Sequence, residues 1–142
     1  MNDDTMALPR GIRNNNPLNI RKGNNWQGER HPQTDKEFEE FESMQMGIRA
    51  AFKLMKNWMN GFGGRRKPCT NLEQLISTWA PEVENATRAY ILFVSDNTGI
   101  HPRQEIKFQD RATMCAIARA MAKVECGQWL DIELFKSAYD LI

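Results

Sequence analysis

The sequence predicts a mainly α-helical fold with one small lobe of irregular β and loop structure near its start. Apolar residues recur at helical spacing in five segments between residues 43 and 142, and capping or helix-stopping residues bound these segments. Residues 10–35, in contrast, are dense in Asn, Gly, Arg and Pro, with six Asn from Asn14 to Asn25. Because Asn and Gly tolerate left-handed backbone, we expect ordered loops in this segment rather than helix.

The composition is that of an ordinary globular domain. The 142 residues are 41% hydrophobic and 26% charged, and we place one domain at residues 10–142 after a flexible tail at residues 1–9. The formal net charge is +1, which argues against a dedicated nucleic-acid-binding protein because such proteins carry a clear basic excess. The three Cys have neither metal-site nor disulfide-framework spacing, so no metal or other cofactor is expected.

The sequence also predicts where the protein is made. The first ten residues lack the apolar stretch of a secretory signal, and no run reaches the ~18 apolar residues of a membrane span. We therefore expect synthesis in the cytoplasm. Action outside the cytoplasm would then need export or release by another component.

The first elements follow from local signals. Residues 26–41, WQGERHPQTDKEFEEF, alternate poorly and predict either a small β-hairpin or an irregular lobe. Ser43 is the predicted N-cap of a helix in which Ile48 and Phe52 recur at helical spacing. The stretch NGFGGRRKPC, residues 60–69, then interrupts the helical pattern.

Two shorter helices are expected next. Thr70 is predicted to cap the first of them, with Glu73 at the capping-box spacing, and Pro81 to end it. The second is expected to run through Tyr90 and to stop at Gly99.

Two helices are predicted to close the chain. The fourth helix begins at Gln109 or Asp110 and stops before Gly127. The fifth covers residues 131–142 and places Phe135 on its apolar side.

Glu125 is the carboxylate with the most informative position. The apolar stripe of the fourth helix runs from Met114 to Met121, and at ~100° per residue Glu125 falls at its centre. Burial and the negative end of the helix dipole both favour the protonated form of a carboxyl group, which a general acid requires. Two other outcomes stay open: the helix end frays and exposes Glu125, or Glu125 pairs with an Arg.

A second carboxylate is expected in the acidic run of residues 35–42. Asp35 is the best candidate, because Thr34 and the turn at Pro32 would hold it in the polar lobe. Glycoside chemistry commonly uses two carboxylates. The alternative for most of this run is a solvated acidic edge.

A cluster of hydrogen-bonding residues surrounds the start of the third helix. Asn85, Thr87 and Tyr90 combine amide, hydroxyl and aromatic groups, which suit a hydroxyl-rich ligand such as a sugar. Either Glu84 or Asn85 could instead cap the helix.

Six short motifs then carry a family resemblance. They are RGIRNNNPLNIR from residue 10, W.G from residue 26, F..F from residue 38, GIRA from residue 47, WAP..EN.T..Y from residue 79 and E.G from residue 125. They resemble, in the same order, a family of phage structural proteins with a lysozyme-like domain, which implies degradation of peptidoglycan. Leu18 departs from the pattern, since family members usually have Gly there.

The motif order also resembles a rearranged enzyme. In bacterial glucosaminidases and lytic transglycosylases, a segment similar to NNNPLNIR borders the glycan cleft and follows a helix that ends in the catalytic Glu. Here the helix that resembles it, AIARAMAKVECG at residues 116–127, lies at the other end of the chain. A circular permutation of a lysozyme-like domain would explain this order.

The resemblance implies a peptidoglycan glycosidase, either a muramidase or a lytic transglycosylase. Glu125 would protonate the leaving oxygen, and in a hydrolase Asp35 would assist water or stabilise positive charge. Further residues would contact the glycan strand: Asn15, Asn16, Asn19, Arg21 and Trp26 of the Asn segment, and Glu84. One alternative is a non-catalytic, virion-associated structural protein that binds cell wall, with virion or secretion-apparatus components as partners. Another is a helical structural or regulatory protein without a glycan ligand.

Overall fold

The protein is mainly helical, as predicted. A computed structural model describes residues 8–81 and 84–142, apart from the side chain of Glu84. The predicted tail therefore lies largely outside the described residues. The described helices are α1 (Arg10–Arg13), α2 (Met44–Met59), α3 (Gly61–Gly64), α4 (Leu72–Trp79), α5 (Glu84–Thr98), α6 (Arg111–Cys126) and α7 (Ile132–Tyr139).

Capping residues set most helix ends where the sequence predicted them. Ser43 is confirmed as the N-cap of α2, since its Oγ accepts a hydrogen bond from the Met46 N–H at 3.2 Å. Asp110 caps α6 through the Thr113 N–H. Gly127 ends α6 in the left-handed region with a φ of 81°, where a residue with a Cβ would be strained.

The predicted cap of α4 was wrong by one residue. Asn71, not Thr70, is the N-cap, and its Oδ1 accepts from the Gln74 N–H at 2.9 Å. The Thr70 N–H and hydroxyl both donate to Gln74 Oε1 instead. In a capping box, the side chain three residues after the N-cap accepts a hydrogen bond from the N–H of the N-cap residue itself. Here the Gln74 side chain accepts instead from Thr70, the residue before the N-cap.

The lobe beside the helices contains little regular structure. Among the described residues it has two isolated antiparallel bridges, Arg21 with Phe38 and Glu29 with Phe41, in place of a β-hairpin. Directly before the lobe lies α1, a single helical turn that the sequence did not predict. Of the two predicted forms, a small β-hairpin or an irregular lobe, the chain therefore adopts the irregular lobe.

The core is built around α6. Eight residues of this helix are buried, and it packs against α5, α7 and α1. On the far side, α2 packs along α7, where the Phe52 ring meets Tyr139 edge-on at 5.4 Å between ring centroids. Buried apolar side chains from Leu18 to Ala138 form one cluster. None of the described helices is long and apolar enough to span a membrane.

The lobe and α2 approach each other most closely at Gly47. A Cβ placed on Gly47 would lie 1.8 Å from the backbone oxygen of Asn15, far inside van der Waals contact. The absence of a side chain at this position therefore lets the Asn segment lie directly on α2.

Candidate functional site

A pocket of about 250 Å³ opens where the lobe meets the helices. We call it the Glu125 pocket. Its lining comes from the lobe, the end of α4, the first turns of α5 and the last turn of α6. The lining residues are Asn19, Arg21, Phe38, Trp79, Ala80, Pro81, Ala86, Thr87, Tyr90 and Glu125. The structure thus brings together Asn19 and Arg21 from the Asn segment with Thr87, Tyr90 and Glu125, residues separated by up to 106 positions in sequence.

Glu125 is held at the edge of this pocket by the lobe. It lies next to the last residue of α6 and is half-buried. The Asn19 Nδ2 group donates to Glu125 Oε1 at 3.1 Å and to the Glu125 backbone oxygen at 3.1 Å. One amide therefore fixes both the carboxyl group and a helix-end carbonyl, which has no partner within the helix. Asn19 does this from a left-handed conformation with a φ of 55°, which Asn adopts more readily than most residues.

Tyr90 places a hydroxyl against the same carboxyl group. Its side chain is buried between α5 and α6, and its hydroxyl donates to the Met121 backbone oxygen at 3.4 Å. Burial, followed by the charge of Glu125 and a hydrogen bond to it, raises the pKa of Tyr90 well above its ordinary value. Tyr90 therefore stays protonated, and the Met121 carbonyl and the Glu125 carboxyl group share its single O–H proton.

Aromatic rings form two walls of the pocket. Trp79 is half-buried, with its Nε1–H donating to the Leu18 backbone oxygen at 3.2 Å and its ring edge-on to Trp58 at 5.4 Å. Phe38 is half-buried in the lobe, with the Arg21 guanidinium carbon 4.8 Å from its ring centroid. These contacts fix the rings before any ligand arrives, so binding would cost little side-chain entropy.

No family model matches the chain, but a phage protein does. Protein P5 of Pseudoalteromonas phage PM2 is 41% identical to it over 122 residues, which are 83% of this chain and 71% of that protein. The chain belongs to the P5 family. The predicted kinship with phage proteins is confirmed at this level, and the lysozyme-like character of the domain stays a prediction.

Two Asn of this P5-family member serve the backbone of the lobe rather than the pocket. Asn16 is fully buried, donates to the Ile20 and Glu39 backbone oxygens, and accepts from the Ile20 N–H, all at 2.9–3.0 Å. Asn15 donates to the Phe41 backbone oxygen at 3.1 Å. Neither lines the Glu125 pocket. Both satisfy backbone groups that a β-ladder would otherwise satisfy.

Asp35 also lies outside the pocket lining. It binds the Arg10 guanidinium through two contacts of 2.6 Å and accepts from the Asn14 side chain at 2.9 Å. These partners, Arg10 foremost, hold the pKa of Asp35 far below its usual range. A carboxylate engaged in this way links the lobe to α1, and the catalytic role predicted for Asp35 stays a prediction.

The other predicted site residues lie around the pocket. Thr87 lines it and donates its hydroxyl to the Ala80 backbone oxygen. Asn85 is exposed and does not line it, and Trp26 is half-buried against the core. The prediction for Glu84 concerns a side chain outside the described residues.

Phe38 and Trp79 are the aromatic lining residues that were not among the predicted site residues. Phe38 lies between Glu37 and Glu39, and an aromatic residue flanked by charges is a usable signal for a ligand-facing ring. Trp79 lies two residues before Pro81. The helix end predicted at Pro81 is a signal that Trp79 lies at the edge of the helical core. Neither signal gives the direction of the ring, which depends on distant partners.

The arrangement suits a neutral, hydroxyl-rich ligand. It offers a carboxyl group, an amide, a phenol and two aromatic rings within one concavity, and the guanidinium groups of Arg10 and Arg21 lie over the Phe38 ring, 4.6 and 4.8 Å from its centroid. Within the described parts of the chain, no group of three or more His, Cys, Asp or Glu residues could hold a metal ion. The side chains of the lining can form hydrogen bonds, pack against apolar surface and, at Glu125, exchange a proton.

Proposed function

We propose that this protein binds the glycan strand of peptidoglycan in the Glu125 pocket and cleaves it with Glu125 as proton donor. The observation that carries the proposal is the meeting of Glu125, Asn19 and Tyr90 in a pocket walled by Trp79 and Phe38. Sugar rings present apolar faces to aromatic side chains and hydroxyl or amide groups to polar ones, and this pocket has both.

The pocket is suited to part of a polymer. Its volume of about 250 Å³ is below the ~300–1,000 Å³ of sites that enclose a whole drug-sized ligand. A single sugar unit would occupy it while the rest of the strand continues outside. A lysozyme-like domain, circularly permuted so that the Glu helix follows the Asn segment, remains our proposal for the ancestry of this arrangement.

A single-carboxylate mechanism fits the geometry better than a pair. Glu125 would give its proton to the glycosidic oxygen as the bond to the anomeric carbon breaks. In a lytic transglycosylase the resulting carboxylate then takes the proton of the muramoyl 6-hydroxyl as that oxygen attacks the anomeric carbon. This route needs no second carboxylate, which agrees with the engagement of Asp35 by Arg10.

A second candidate is a virion-associated protein that binds cell wall without cleaving it. The family membership favours this candidate, because the relative is a phage protein whose name, Protein P5, specifies no activity. Both candidates use the same pocket. They differ only in whether Glu125 transfers a proton.

Digestion of purified peptidoglycan separates the two candidates. We expect wild type to release soluble fragments, with 1,6-anhydro ends identified by mass for a transglycosylase. Glu125→Gln should fold normally and lose about 10²-fold or more of this activity, because Gln keeps the shape but cannot transfer a proton. Glu105→Gln is the matched control, since Glu105 is exposed and does not line the pocket.

Co-sedimentation with insoluble peptidoglycan provides the complementary measurement. Binding by wild type without any cleavage would establish the second candidate. Absence of both binding and cleavage would refute both. Full cleavage by Glu125→Gln would remove Glu125 from the mechanism and leave the pocket as a binding site only.

A further inference from the structure

A second cavity, of about 660 Å³, adjoins the Glu125 pocket. The two cavities share Pro81 and Thr87 in their linings, so they meet at this edge. We call the second one the Arg88 cavity. It is large enough for several residues of a peptide or another sugar, and the proposed catalytic mechanism does not use it.

The Arg88 cavity combines an apolar floor with a basic rim. Ile91 and Leu92 of α5 contribute apolar surface, and Leu92 is 45% exposed. Arg88 and Arg103 are exposed at the rim, with Glu73 beside them. Among the described lining residues, two permanent cations thus accompany one carboxylate.

Both arginines of this cavity are exposed. Arg103 contacts Glu73 with 3.4 Å between Nε and Oε2, but its side chain is 77% exposed, so water screens this pair strongly. Arg88 lies on α5 and lines the cavity. The loop that carries Arg103 is held in place, since the Arg103 N–H donates to His101 Nδ1 at 3.0 Å and the Pro102 carbonyl accepts from the Glu73 N–H at 3.1 Å.

We propose that the Arg88 cavity binds the peptide stem of the glycan strand, so that the protein selects strands that carry stems. This inference rests on the proposed function. Stems are covalently attached to muramoyl units, so a stem must leave a muramoyl unit in the Glu125 pocket through a neighbouring opening. Stems also carry free carboxylates and small apolar side chains, which match the basic rim and apolar floor.

Binding to two forms of one ligand tests the proposal. Soluble uncrosslinked strands with intact stems are compared with the same strands after an amidase has removed the stems. All affinities are measured in a Glu125→Gln background, so that cleavage does not consume the ligand. In this background we expect tighter binding of the stem-bearing strands.

Charge variants give the decisive arms. Arg88→Gln should weaken binding of stem-bearing strands by about threefold to fivefold, the size expected of one exposed ion pair, and leave stem-free strands unaffected. Glu73→Gln should act in the opposite direction and strengthen binding of stem-bearing strands, because it removes the carboxylate that repels them. Arg111→Gln is the matched control, since Arg111 binds Asp140 and does not line either cavity.

The outcomes separate this inference from the proposed function. Equal affinity for the two ligands, or an equal loss on both in Arg88→Gln, would overturn stem recognition while leaving glycan binding intact. No binding of either ligand by the Glu125→Gln parent would refute the proposed function and this inference together. A loss confined to stem-bearing strands that shrinks in high salt would support the charge mechanism, since salt screens exposed pairs.

Discussion

The lobe, residues 14–41, and the helical core hold their backbones by different means. In the core, helices satisfy their own backbone groups, and buried apolar faces hold them together, as where Phe52 meets Phe108 and Tyr139. In the lobe, side chains satisfy the backbone: Asn16 alone makes three such hydrogen bonds, while Asp35 ties the lobe to Arg10. The helical core should therefore tolerate polar substitutions at its surface, whereas the lobe depends on a few amide and carboxylate side chains. The Glu125 pocket lies where the two meet.

The largest expected effect is on the core side of this comparison. Phe52→Ala should lower the free energy of unfolding by about 4 kcal/mol, because it removes a fully buried ring and leaves a cavity. Urea denaturation followed by circular dichroism measures it. Leu92→Ala is the control on an exposed apolar side chain, and a similar cost for both variants would mean that burial does not set core stability.

Asn16→Ala tests the lobe side. It should cost about 2–3 kcal/mol, since the Ile20 N–H and the Ile20 and Glu39 carbonyls lose their side-chain partner while buried. Asn25→Ala is the matched control, because Asn25 lies in the same segment and is exposed. If the two Asn variants proved equally stable, side-chain hydrogen bonds would not be what stabilises the lobe.

The smallest expected effect is a pH dependence that comes from the lobe. Burial raises the pKa of Glu39 from 4.5 to about 7, and the neighbouring Glu29 adds to this. The folded state therefore holds a proton that the unfolded state releases, so this contribution is complete below pH 4.5 and is lost as pH rises through about 7. We expect a loss on the order of 2 kcal/mol over that range.

Denaturation of wild type and Glu39→Gln at pH 5 and pH 8 measures this difference. The variant cannot ionise, so its stability should change less between the two values. Asp35 does not confound the result, because its lowered pKa places its titration in more acidic solution. A pH dependence identical in both proteins would assign the effect to other groups.

Local signals in the sequence determined where most helices begin and end. A cap at Ser43 or Asp110 and a left-handed Gly at Gly99 or Gly127 act through groups within four residues, so they can be read without knowledge of the fold. The wrong prediction at Thr70 also concerns residues that are close in sequence. Thr and Asn are both common N-cap residue types, and in the structure Asn71 caps α4 while Thr70 donates to the Gln74 side chain.

Tertiary structure alone decided what each polar side chain of the candidate site does. Asn15, Asn16 and Asn19 are one residue type within five positions, yet two of them serve the lobe backbone and one holds Glu125, 106 residues away. Asp35 likewise lies in an acidic run whose sequence does not reveal its partner, which is Arg10 in the structure. The physical reason is range: a helix cap depends on neighbours in the chain, whereas the partner of a long-range amide or carboxylate exists only once packing has brought lobe and core together.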